Sequence, residues 1–371
     1  MGLYTFLFAD LRTNAILAEL PLVGVSGTRD LKGNGSLVGS LVLGDPKVAA
    51  LDFAAATQPG RTALYVDRGG LLVWGGVVWT RAKARVAPGQ PVRLALGCTE
   101  FWSYYRHRLI TATATFTGVD QMTIAQSIMN TAVAVTGGDI GVTVTAPTAS
   151  GITRNLTYNY YDLKVVADAV DQLSQLDQGF DFGVDLAYVA GVPTKTLNWY
   201  YPRRGAIAGT TGIIFDKPGN IDDYYFPEDA TLMATSVTAV GAGQGDAMLR
   251  STVPVPAQID IGYPLLEVRQ AYKDATAQAT LDAHARADVM ALQNPVTLPE
   301  LWVRPDKDPL FGSYGPGDDV RVRITDERFP AATSTTVDRS LDAYYRTLAV
   351  GFTPEEGNVP ESVHVQLGAT G

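Results

Sequence analysis

Residues 68–81 read RGGLLVWGGVVWTR, and the fold turns on what its two glycine pairs do. A phosphate-binding loop requires a strand, glycines at set spacing and then a helix whose first N–H groups face the anion. The chain has no Gly-Lys pair of a P-loop, and Gly33, Gly35 and Gly39 of GNGSLVG (33–39) have the wrong spacing and lead into the strand-like SLVLG. A hairpin is the simpler reading. Arg68-Gly69-Gly70 supplies the turn after TALYV (62–66), where glycine accepts the positive φ of a tight turn. Gly75 and Gly76 fall inside the returning strand, where glycine marks a bulge or the bend by which a barrel strand curls.

Working outward, LYTFLF (3–8), SLVGSLVL (36–43), GVVWTRAKARV (76–86) and VRLALGC (92–98) are further strand-like runs. Gly44-Asp45-Pro46 and Ala87-Pro88-Gly89 are turn chemistry between them. So many strands in so short a stretch must hide their edges, which predicts a closed or nearly closed antiparallel barrel over 1–107. From 108 to 210 the period changes to helical. Asp120 reads as the N-cap of a helix with Ile124, Ile128 and Ala132 on one face, and Asp162 as the cap of a second with Leu163, Val166, Val170 and Leu173, ending at Gly179. FDFGVDLAYV (180–189) and TLNWYYP (196–202) supply a sheet for an inserted α+β domain. Residues 211–371 return to strands around one helix, with Asp274 as cap, a stripe of Ala277, Leu281, Ala285, Val289 and Leu292, and Asn294-Pro295 as stop. In DDVRVRITD (318–326), Val320, Val322 and Ile324 alternate with Arg321 and Arg323. The expected fold class is therefore β-rich α+β: two tube-like antiparallel barrels, 1–107 and 211–371, with an inserted domain at 108–210.

Composition agrees, since 37 glycines and 21 prolines in 371 residues favour short strands and turns. The net charge of −9 argues against a surface built to hold nucleic acid phosphates. The one cysteine, Cys98, cannot close an internal disulfide and reads as a buried small hydrophobe. MGLYTFLFAD lacks a basic n-region and is broken by Asp10, so it reads as a first strand and not as a signal peptide. No apolar run approaches the roughly 18 residues of a membrane helix, and no stable membrane insertion is expected.

Chemistry is sparse. His107, His284 and His364 are scattered, with no HExxH pair and no zinc spacing, and no GxSxG elbow occurs. Asp181 and Asp185 share a strand face, but about 3.3 Å per residue puts them roughly 13 Å apart. Glycosidases need about 5 to 9.5 Å. The acidic run DKPGNIDDYYFPED (216–229) lacks EF-hand spacing. Arg81, Lys83 and Arg85 form a basic stripe that reads as a solvated face or subunit contact, and FWSYYRH (101–107) as packing or an interface. No catalytic, cofactor-binding or metal residues are expected.

Four stretches carry a resemblance: GNGSLVGSLVLGDP (33–46), RGGLLVWGGVVW (68–79), FPEDATLMATSVTAVGAGQG (226–245) and GPGDDVRVRITD (315–326). In their order along the chain they resemble the tail hub, or minor tail, proteins of long-tailed bacteriophages infecting actinobacteria, related in fold to the baseplate hub of contractile phages. The resemblance implies a homotrimer in the virion tail tip, whose three chains present six barrel modules. It would cap the hexameric tail tube, adapt sixfold to threefold symmetry and form part of the DNA ejection channel. The implied partners are the distal tail protein or tail tube ring, the C-terminus of the tape measure protein, and tip or fibre proteins, with no sequence-specific nucleic acid binding. Some such proteins carry a C-terminal peptidoglycan hydrolase. This chain closes in VQLGATG soon after its last strand, so a non-enzymatic hub is expected. The competing expectation is a receptor- or carbohydrate-binding tail tip module, for which 17 tyrosines and 5 tryptophans could form platforms.

Overall fold

The computed structural model describes residues 3–84, 89–210, 212–295, 298–334 and 337–370. Arg85 and the Ala87-Pro88 part of the predicted turn lie outside the described residues. The chain divides into two compact units, one of Met1–Asp171, Phe180–Tyr224 and Glu300–Gly371, the other of Gln172–Gly179 and Tyr225–Pro299.

In the first unit, the N-terminal strands are β1 (Tyr4–Asp10), β2 (Ile16–Glu19), β3 (Val23–Asp30), β4 (Ser36–Val42), β5 (Thr62–Arg68), β6 (Leu71–Lys83) and β7 (Arg93–Glu100). The segment after them holds β8 (Ala114–Asp120), β9 (Val142–Val144), β10 (Thr153–Tyr158), β11 (Asp181–Val189) and β12 (Val192–Tyr200). Later come β13 (Ile214–Lys217) and β14 (Ile221–Tyr225); the second unit contains β15 (Ser236–Val240), β16 (Arg250–Pro254) and β17 (Glu267–Ala271). The C-terminal strands are β18 (Glu300–Val303), β19 (Asp319–Ile324), β20 (Leu341–Thr353) and β21 (Ser362–Gly368).

The fold is β-rich, as the sequence predicts. Strands β1–β7 and the group β13, β14, β18–β21 are two arms of one 13-stranded sheet, running β14-β18-β21-β20-β3-β4-β7-β6-β5-β1-β2, with β19 on β20 and β13 on β19. The arms meet where β20 pairs antiparallel with β3, Phe352 opposite Gly27 and Ala349 opposite Asp30. They also share one apolar core. Strand alternation fills it: Leu37 and Leu41 from β4, Val320, Val322 and Ile324 from β19, and Val363, Val365 and Leu367 from β21 are all fully buried.

The 68–81 hairpin forms as read. Arg68 pairs with Leu71 across Gly69 and Gly70, whose φ values of 61° and 93° suit a type I′ turn, and Asp67 accepts the Gly70 N–H at 2.8 Å. The bulges of β6 are not at Gly75 and Gly76, however. Val66 faces Trp74 and Asp67 faces Leu72, leaving Val73 as the extra residue, and Trp79 is extra between Val78 and Thr80 against β7. The glycine pair sits between these two bends for lack of space. A Cβ on Gly76 would lie 2.3 Å from the Thr99 carbonyl oxygen, and one on Gly75 would lie 2.9 Å from Leu186 Cδ1.

In the segment after β7, Asp120 caps the helix Gln121–Ala134 through the Met122 N–H, and Ile124, Ile128 and Ala132 are buried as predicted. The second helix is shorter than expected. It starts at Val166, while Asp162 ends a 3-10 turn and Leu163 is half exposed with φ 45°. The cause is pairing from upstream: Ile110 N–H donates to Lys164 O, Val166 N–H donates to Arg108 O, and Leu109 bridges Val165. That holds residues 163–165 out of helical geometry. β11 and β12 form a hairpin, with β9 parallel to β12.

The second unit is a three-stranded sheet, β16-β15-β17, under the helix Gln278–Leu292. The predicted stripe faces inward at Leu281, Ala285 and Val289, against Ala239 and Val237. Ala277, not Asp274, holds the N-cap position.

Candidate functional site

Asp181 and Asp185, the carboxylate pair whose strand spacing is too wide for a glycosidase, lie where the β11–β12 hairpin meets the large sheet. Three arginines converge on them: Arg29 from β3 and Arg346 from β20, both distant in sequence, and Arg204 just beyond β12. Asp181 binds the Arg346 guanidinium and accepts the Arg204 backbone N–H at 2.7 Å. Asp185 binds the Arg204 guanidinium and the Tyr200 hydroxyl, and also accepts from Asn198 Nδ2 at 2.9 Å and Arg29 Nη2 at 3.4 Å. Burial, followed by the bond to Asp185, pushes the Tyr200 hydroxyl up to about 12, so it stays a donor.

A second set of contacts extends the clamp. Asp319 binds the Arg203 guanidinium and accepts the Ala208 N–H at 2.7 Å, while Asp318 accepts the Ala206 N–H at 2.8 Å. Between them Gly205, at φ 89°, crosses Gly317 so closely that a Cβ would lie 2.3 Å from the Gly317 carbonyl carbon. Two backbones can approach that closely only at glycines.

Behind Arg29 lies Glu100, buried at the end of β7, with Arg29 Nε at 4.0 Å. The GNG turn that invited a phosphate reading cradles this carboxylate instead: Gly35 N–H donates at 2.8 Å and Asp30 N–H at 3.1 Å. Burial pushes the Glu100 carboxyl up to about 7, against the pull of Arg29 and the two amides. With an ordinary value of 4.5, the native state then holds a proton between about pH 4.5 and 7 that the unfolded chain does not. Native stability from this group is present below pH 4.5 and falls as pH rises to 7. Glu100→Gln is expected to remove that slope, of order 3 kcal/mol across the window. Urea midpoints of the two proteins at pH 5 and pH 7 check it.

Lys195 of β12 is also buried. Its Nζ donates to Leu11 O at 2.7 Å and Ile140 O at 2.5 Å and lies 4.6 Å from the centre of the Phe101 ring. Burial pushes the ammonium down to about 7. The side chain ties β12 to the chain just after β1.

This arrangement fastens elements together. A general acid or base needs a carboxylate free to reach a substrate proton, and Asp181, Asp185 and Asp319 are each held by guanidinium and amide donors. Among the described residues no group of three or more His, Cys, Asp or Glu could hold a metal. His107 packs on Trp79, His284 stacks on Tyr272 at 3.9 Å between ring centres, and His364 meets Glu300 at 3.0 Å. Cys98 is buried in the core, its thiol pushed up to about 12 by desolvation. FWSYYRH is a 3-10 helix with Phe101, Trp102 and Tyr105 buried, the packing role expected. The basic stripe is divided: Arg81 donates to Ala54 O and Thr57 Oγ1 at the end of a short helix, and Lys83 is exposed. Sequence reasoning missed the arginines and Lys195. Arg29, Arg346 and Lys195 sit in strands far along the chain from the groups they bind, and no local spacing links them to those groups.

No protein-family model matches the chain, and no curated protein matches its sequence. Solved structures do match its fold. A tail protein from Neisseria meningitidis MC58 superposes with a TM-score of 0.64 at 11% identity, over 100% of this chain and 97% of that one. The 43 kDa tail protein of prophage MuSo2 from Shewanella oneidensis gives 0.62 at 12%, over 99% and 98%. A prophage tail protein from Listeria monocytogenes EGD-e gives 0.54 at 13%, over 98% and 94%. At these identities the likeness is one of fold, and it spans both chains nearly end to end.

Proposed function

We propose that this chain is a structural component of a bacteriophage tail: a homotrimeric, non-enzymatic hub at the tail tip. The observation that carries the reading is the end-to-end fold likeness to prophage tail proteins. Three further features support it. The two strand-rich arms would give three chains six modules, the number needed to meet a hexameric tube above and threefold fittings below. Asp181 and Asp185 are occupied in ion pairs that brace the molecule, as a load-transmitting part requires. An acidic balance of −9 suits a channel through which DNA slides without sticking. In this reading the chain contacts the tube ring or distal tail protein, the end of the tape measure protein, and the tip or fibre proteins.

Native mass spectrometry and electron microscopy of the purified chain test the reading. The expected result is a trimeric ring, seen either alone or after mixing with tube protein. A chain that stays monomeric at high micromolar concentration and is missing from isolated tails would exclude it.

A further inference from the structure

A groove of ≈ 520 Å³ opens beside the first strand, between β1, the chain leaving β2, and the turn after β20. Its floor is apolar, formed by Phe6, Leu20, Leu22 and Val25, with exposed Leu3 at one end. Its rim is acidic: Glu19, Glu355, Glu356 and Glu361 line it, with Lys47 as the lining's one cation. Two of these carboxylates serve the fold. Glu361 takes Arg68 in a forked pair at 2.7 and 2.9 Å together with the Tyr4 hydroxyl, and Glu356 accepts the Gly24 N–H at 2.6 Å. The side chains of Glu19 and Glu355 are exposed, and their carboxylates have no partner among the described residues.

The groove also contains an open strand edge. β1 pairs with β5 along its whole length, Tyr4 to Asp10, but with β2 only at Leu7, Phe8 and Ala9. Beyond that ladder one bond remains, Leu20 N–H to Phe6 O at 3.3 Å, and then the chain turns away. Tyr4 and Thr5 thus have a strand neighbour on one side and the groove on the other. An unpaired edge is a template for an added strand, and the side pockets around it set which strand is accepted.

The geometry points to a docking slot for an extended, basic segment of another protein. The segment would add its backbone beside Tyr4–Phe6, place a small apolar side chain over Phe6 and Leu20, and direct Lys or Arg toward Glu19 and Glu355. Charge complementarity selects this occupant over an acidic or neutral one. That the segment belongs to a neighbouring tail protein rests on the function proposed above; the recognition chemistry does not.

The test uses the full chain and two labelled synthetic peptides, Lys-Thr-Val-Lys-Val-Lys and its Glu-for-Lys counterpart, followed by fluorescence anisotropy at low salt. The basic peptide is expected to bind, the acidic one not, and Glu19→Lys with Glu355→Lys to weaken binding at least tenfold. Both positions are exposed and unpaired, so the fold should survive the reversal, which a thermal melt checks. Hydrogen exchange at residues 4–6 should slow when the basic peptide is present. Equal binding of both peptides, full binding by the double variant, or unchanged exchange at residues 4–6 would overturn the proposal. So would loss of self-association in the double variant without peptide, which would make this face a contact between copies. Whether the parent chain forms the ring expected above is measured without peptide, so that reading can fail while the peptide results stand, and the peptide results can fail while the ring forms.

Discussion

Gly76→Val is expected to cost more than 3 kcal/mol and to leave little soluble protein. Gly76 sits in a central strand, with Leu64 of β5 opposite on one side and Glu100 of β7 on the other. A Cβ there would lie 2.3 Å from the Thr99 carbonyl oxygen and 2.5 Å from Trp74 Cη2. Trp74 is fully buried and its indole N–H donates to Thr28 O at 3.0 Å, so it cannot swing aside without losing that bond. The carbonyl is backbone and can move only if the ladder opens. Overpacking typically costs about 1–3 kcal/mol where side chains can shift; here they cannot, and whole domains hold only about 5–15 kcal/mol. Gly75→Val should be milder, because its close neighbours are the side chains of Leu186, Phe101 and Tyr65. Gly69→Val should be milder again, since its φ of 61° brings about 1–2 kcal/mol of strain. Urea unfolding of the three variants checks the order. A Gly76→Val chain with the parental midpoint would show that β6 and β7 can separate at no cost.

The Gly69-Gly70 turn was legible because positive φ is a local demand that glycine meets. So was the helix cap at Asp120, and so was strand β19, whose buried valines alternate with outward Arg321 and Arg323. The start of the second helix was not legible, because residues 163–165 are held by residues 108–110, and helical period in VADAV says nothing about that partner. The meeting of the two arms escaped for the same reason. β3 and β20 pair across more than three hundred residues, and alternation defines a strand's faces without naming its neighbours. The clamp is the extreme case: Asp181 and Asp185 are visible as a pair, but Arg29 and Arg346 reach them only through the tertiary fold. Gly75-Gly76 in a strand suggests a bulge or bend, but the bulges fall at Val73 and Trp79, and the glycine at 76 answers instead to the closeness of Trp74 and Thr99.

Asp319→Ala should be the most damaging change in the clamp. Asp319 is 1% exposed and Arg203 is 11% exposed at the side chain, and the carboxylate holds both the Arg203 guanidinium and the Ala208 N–H. The bond to Asp319 comes from Arg203 Nη2, while Arg203 Nε is buried with no hydrogen bond among the described residues, so Asp319 is the compensation for this cation. Removing one partner of a buried pair strands the other, at about 3–5 kcal/mol. Asp319→Asn should fall between, because its amide oxygen can still accept from Ala208 while the charge is lost. Replacing both members, Asp319→Leu with Arg203→Met, removes the stranded charge and should recover stability relative to Asp319→Ala. The Ala208 N–H stays unpaired in that variant, which limits recovery by about 1–3 kcal/mol. Denaturant midpoints of the four proteins decide the matter. If the pair is what joins residues 203–208 to β19, Asp319→Ala should be the least stable of the four, and hydrogen exchange at Ala206 and Ala208 should rise before the rest of the sheet opens. A double variant no more stable than Asp319→Ala would mean that the missing acceptor, not the stranded guanidinium, dominates the loss.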